Sequence, residues 1–75
     1  MSAAAAPGPA PQVNQPKHPL PAMTTYELRV YRRQIENAIA FFDAQHPVPP
    51  VRDSLQARLD DVMAEQESRR RIAGA

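Results

Sequence analysis

Apolar side chains recur between residues 28 and 42 at Leu28, Tyr31, Ile35, Ala38 and Phe42, in steps of 3, 4, 3 and 4. That spacing gathers them on one face of an α-helix, at the a and d positions of a heptad. Ile39 widens the stripe, and Arg29, Arg32, Arg33, Glu36 and Asp43 fall on the other side. A second stripe follows at Val51, Leu55, Leu59 and Val62, with Met63 beside it and Asp60, Asp61, Glu65 and Glu67 around the rest. The pattern predicts two amphipathic helices, over about 24–45 and about 50–72.

The ends of both helices carry physical signals. Thr24 and Glu27 have the spacing of a capping box, in which each side chain accepts from the other residue's backbone amide. Met23 and Leu28 stand where a hydrophobic staple would hold the entering chain. Pro47 disfavours helix at His46 and should end the first helix near Gln45. Pro50 suits a first helical position, Asp53 favours the positive end of the second helix, and Arg69, Arg70 and Arg71 favour its negative end. Gly74 is a candidate terminator. Glu65 with Arg69, and Glu67 with Arg71, have i,i+4 spacing.

A stiff connection at 46–49 between two such helices makes them antiparallel neighbours. The expected fold class is therefore all-α, an antiparallel two-helix hairpin over 23–75 behind a disordered Pro/Ala-rich arm over 1–22. In that register Phe42 lies near Leu55, Ile35 near Leu59 and Val62, and Tyr31 near Met63 and Gln66. Arg29, Arg32 and Arg33 come alongside Asp61, Glu65 and Glu67.

The arm holds six of the nine prolines and, beyond alanine and Met1, only Val13 and Leu20 as apolar side chains. Proline removes amide donors and restricts its neighbours, so neither helix nor strand propagates there. Pro16 to Pro19 formally matches PxxP, a pattern common by chance in proline-rich tails. Met23 stands where order begins. It is either the start of translation or the first residue after a linker.

Composition narrows the classes. The chain has 75 residues, no cysteine and a formal charge of +1. It admits one small domain, no disulfide framework and no bulk attraction to nucleic acid or anionic membrane. No apolar run is long enough to span a bilayer, and the alanine run lacks the basic start and apolar core of a signal peptide. The absence of cysteine fits a cytoplasmic setting.

Two helices share one interface, and a hairpin this small sits at the margin of what burial can stabilise. Tyr26, Val30 and Phe41 project from the first helix away from its main stripe. They are the expected partner surface, covered by a second copy or by another protein. The alternative is that Phe41 packs under the turn and Tyr26 coats the surface.

Candidate chemistry is sparse. His18 and His46 lie apart and have no acidic or thiol cluster beside them, so no metal site is expected. Asp60 and Asp61 point about 100° apart on a helix and do not share a substrate. No phosphate loop, nucleophile elbow or HExxH pattern occurs. No cofactor, small-molecule substrate or membrane contact is expected. Arg29, Arg32, Arg33, Arg69, Arg70 and Arg71 are candidate phosphate contacts. Glu36, Glu65 and Glu67 lie among them, which makes nucleic acid the lesser reading.

The stretch from Met23 to Arg71, with TTYELRVYRRQIENAIAFFD, HPVPPVRDSLQARLDDV and AEQESR, resembles small uncharacterised helical proteins of actinobacteria. The resemblance covers two-thirds of the chain and excludes the arm. It implies a bacterial cytoplasmic setting and no particular activity. The expected function is a non-enzymatic helical-hairpin interaction module, self-associating or an accessory subunit. The alternative is a small nucleic-acid-associated regulator using its arginine clusters.

Overall fold

The computed structural model describes residues 11–74. The disorder expected of residues 1–10 lies outside the described residues. Two helices follow one another, α1 over Thr25–Asp43 and α2 over Val51–Gly74, preceded by a short 3-10 turn at Leu20–Ala22. The fold is the expected all-helical hairpin. Arg52 at the start of α2 meets Asp43 at the end of α1, while Gln66 toward the end of α2 meets Arg32 near the start of α1. Contacts at both ends fix the antiparallel order.

The capping box closes as its spacing predicts. The Glu27 amide donates to Thr24 Oγ1 at 3.0 Å, and the Thr24 amide donates to Glu27 Oε1 at 2.7 Å. Met23 and Leu28, the two staple residues, are both buried in the core. At the other end of α1, the Ala44 and Gln45 amides donate to Phe41 and Phe42, a tightened last turn that stops ahead of Pro47. The His46–Pro47 peptide is cis. α2 begins directly after Pro50 and runs through Gly74, so Gly74 belongs to the final turn rather than terminating it. Both helix ends otherwise fall within a residue or two of the predicted ones.

The core consists of Met23, Leu28, Tyr31, Ile35, Ala38, Ile39, Leu59 and Val62. Five of these eight come from α1 and two from α2, so α1 carries most of the burial. Ile35, Leu59 and Val62 share one cluster, as the register requires. Two expected seam members are less buried. Met63 is 41% exposed, because it sits about 100° around α2 from the fully buried Val62. Phe42 is half-buried at the elbow end, where Leu55 is itself only partly covered.

The arm departs from expectation between residues 11 and 22. Its prolines keep it free of strand and of helix beyond the single short turn, yet it is seated on the hairpin. Val13 and Leu20 pack against the core cluster, and the Asn14 amide donates to Gln34 Oε1 at 3.0 Å. α2, with 24 residues against 19 in α1, provides a longer wall on which the Leu20–Ala22 turn rests. The arm's two large apolar residues, Val13 and Leu20, are enough, with its hydrogen bonds, to seat it. Both land on apolar surface that the two helices leave uncovered.

Candidate interaction surface

Tyr26 stands nine residues before Ile35, half a turn out of phase with it, and so points away from α2. It is 71% exposed, and Val30, one turn on, is 36% exposed. Beside them Arg29, Val30, Arg33 and Gln34 line a shallow hollow of about 270 Å³. Phe41 is separate from this pair. It lies half-buried near the elbow, with its ring edge-on to Phe42 at a centroid distance of 5.2 Å. The three residues expected to form a partner surface thus divide into an exposed pair and a ring that is partly packed inside the chain. The other exposed large apolar residues, Val48, Val51, Met63 and Ile72, are scattered over the elbow and α2.

A second groove, of about 360 Å³, runs between the arm and α1, with Pro16, His18, Tyr26, Val30, Tyr31 and Gln34 among its walls. It exists because the arm lies along the Gln34 side of α1. The opposite flank of α1, toward Arg29 and Arg33, is left open.

The six candidate arginines do not form one basic face. Arg29, Arg32, Arg69 and Arg70 line a groove of about 430 Å³ between the start of α1 and the end of α2. Arg33 belongs to the outer hollow of α1, and Arg71 lies beside Ile72 on another side of α2. Most are already engaged. Arg32 pairs with Glu36 at 3.1 Å and donates to Gln66 at 2.8 Å. Arg69 pairs with Glu65 at 2.9 Å, and Arg70 and Arg71 both pair with Glu67. The two i,i+4 pairs of α2 are therefore present. The expected pairing of Arg29, Arg32 and Arg33 with Asp61, Glu65 and Glu67 is not: Glu65 and Glu67 are taken up by arginines of their own helix. The ion pair that joins α1 to α2 lies instead at the elbow, between Arg52 and Asp43 at 2.8 Å. The hydrogen bond from that carboxylate raises the Arg52 pKa still further above its ordinary value.

Sequence reasoning missed the main task of Arg69. Its Nη2 donates to the backbone carbonyls of Leu20, Pro21 and Met23, while its Nε holds Glu65. Nothing local in the sequence marks this contact, which spans more than forty residues. The nearest clue is that a proline-rich turn leaves carbonyls with few amide donors of its own.

Among the described residues no group of His, Cys, Asp and Glu is placed to hold a metal ion, and no helix is long and apolar enough to cross a membrane. His18 lies against the arm groove and His46 in the elbow, far from one another in the fold. Comparison with protein families, with curated proteins and with solved structures finds no match to this chain.

Proposed function

We propose that this chain is a non-enzymatic interaction module that docks through the outer face of α1. The observation that carries the reading is the exposed pair of Tyr26 and Val30, one turn apart on the side of α1 opposite the core, with Val30 also lining the shallow outer hollow beside Arg29 and Arg33. An aromatic ring that offers a large apolar area beside arginines is the composition enriched at protein interfaces. The buried face of α1 already holds the hairpin together, so the outer face is free to bind without unfolding anything. The nucleic-acid reading has less support, because carboxylates neutralise Arg32, Arg69, Arg70 and Arg71 and the six arginines point to different sides.

The test is the mass, under gentle conditions, of the protein as isolated from cells that make it. The wild-type chain is expected in a complex, and the Y26E/V30E variant is expected alone with its helix content unchanged. A wild-type chain that emerges alone, or a complex indifferent to Y26E/V30E, overturns the proposal.

A further inference from the structure

A second line of side chains runs along the outer face of α1, with its large apolar residues at one end and alanines at the other. Tyr26, Val30, Arg33, Asn37, Ala40 and Ala44 follow one another in steps of 4, 3, 4, 3 and 4, and every one of them is exposed. The first seam of α1 is satisfied by α2 and the arm. This second one lies outside the α1–α2 interface, bordered at Tyr26 and Val30 by arm residues 14–18, which share a groove with them, and open from Arg33 onward.

Resting on the interaction reading above, we infer that the occupant is a second copy of this chain, its α1 laid antiparallel on the first about a two-fold axis near the level of Ile35. The seam is self-complementary in that orientation. Tyr26 falls opposite Ala44 of the second copy, Val30 opposite Ala40, and Arg33 opposite Asn37. Each large side chain meets a small one, and each guanidinium meets a carboxamide oxygen that can accept from it. The hollow at Arg29, Val30, Arg33 and Gln34 receives Asn37 as a knob enters a hole.

Charge selects the same orientation. Among the described residues Arg29 and Arg33 form no ion pair. Antiparallel packing carries Arg33 toward Glu36 of the second copy and Arg29 toward its Asp43, carboxylates that already hold Arg32 and Arg52 of their own chain but stay about half exposed, so that each would be shared between two guanidiniums. Parallel packing would set Arg29 on Arg29 and Arg33 on Arg33, and would face Tyr26 with Tyr26 while leaving the alanines opposite one another. An isologous interface of this kind closes on itself as a dimer.

The chain has no cysteine, so introduced thiols report the geometry directly. Val30 and Ala40 lie ten residues apart on one helix, about 15 Å, too far for a disulfide within a chain. Mixing V30C with A40C under mild oxidation is expected to give a mixed disulfide-linked dimer, while V30C alone links poorly. Sedimentation of the wild-type chain is expected to give a dimer, and V30D to weaken association by about tenfold or more without loss of helicity. Efficient self-linking of V30C overturns the antiparallel assignment. A wild-type chain that stays monomeric at high concentration, with no mixed disulfide, overturns the second copy as occupant. A complex with a different protein isolated from cells would then leave the interaction reading intact.

Discussion

The guanidinium of Arg69 donates to the Met23 carbonyl at 2.7 Å across forty-six positions of sequence, and the same nitrogen reaches Leu20 at 3.1 Å and Pro21 at 3.3 Å. One side chain thereby binds the arm to the far end of α2. A lysine is a poor substitute here. The planar guanidinium presents five fixed donors, enough to serve the arm and Glu65 together. Arg69→Ala is expected to lower stability by about 1.5–3 kcal/mol, the range for hydrogen bonds to a charged group, and Arg69→Lys to recover only part of it. Urea denaturation gives the first quantity. Exchange of the Ala22 and Met23 amides, which close the short turn, should quicken in both variants, and exchange that stays slow would show that the contact does not hold the arm.

The capping box makes a prediction in pH. Hydrogen bonds from the Thr24 backbone amide and hydroxyl hold the Glu27 carboxyl below its usual value of 4.5. A depressed folded pKa means that the contribution is complete above the unfolded value and is lost as pH falls through the folded one. The thermal midpoint should therefore carry a Glu27 component that fades on acidification below 4.5. Glu27→Gln keeps an acceptor at the same place but cannot titrate. Its midpoint should lie below wild type near neutrality and approach it as pH falls below 4.5 and through the depressed folded pKa. A constant gap between the two curves would exclude this origin. Thr24→Ala is expected to cost about 1 kcal/mol at neutral pH.

Ile35 and Met63 test the seam. Ile35 is fully buried and Met63 is 41% exposed, although both are large apolar residues predicted near the interface. Ile35→Ala should cost about 2–5 kcal/mol, enough to leave a hairpin of this size largely unfolded. Met63→Ala should stay within about 0.5 kcal/mol. Circular dichroism with a denaturant titration separates the two. Equal losses would mean that α2 is rotated from the orientation described.

Much of this arrangement was legible in the residues. The stripe from Leu28 to Phe42, the Thr24–Glu27 spacing and the prolines at 47–50 are local signals, and each led to the element found. Long-range choices were not legible. Glu65 has i,i+4 access to Arg69 and was also within the expected reach of Arg32, and spacing alone does not say which partner prevails. The nearer pair closes a shorter loop and lies on a helix already formed. The seating of residues 11–22 was hidden for a related reason. Proline content predicts the absence of regular structure, not the absence of contacts. Val13 and Leu20 acquire their value only once α1 and α2 have left a cleft for them. On the outer side of α1 the sequence marked Tyr26, Val30 and Phe41 alike, and only the packing separates them: the first two are exposed, whereas Phe41 is half-buried edge-on to Phe42 at the elbow.

The arm should behave as one strap fastened at two ends. At one end Val13 packs on the core cluster and the Asn14 amide meets Gln34; at the other Arg69 grips the carbonyls around Leu20 and Met23. If the segment seats as a unit, releasing either end frees it, because the remaining contacts do not repay the ordering of the residues between Val13 and Met23. Val13→Ala alone is expected to cost about 1 kcal/mol, for two methylene equivalents half removed from water. In an Arg69→Ala background the same change should cost almost nothing, since the valine has already left its place. The double-mutant cycle should thus return a coupling of about 0.5–1 kcal/mol. Strict additivity would mean that the two ends dock independently, and that Met23 and Tyr31 keep their cover when one of them lets go.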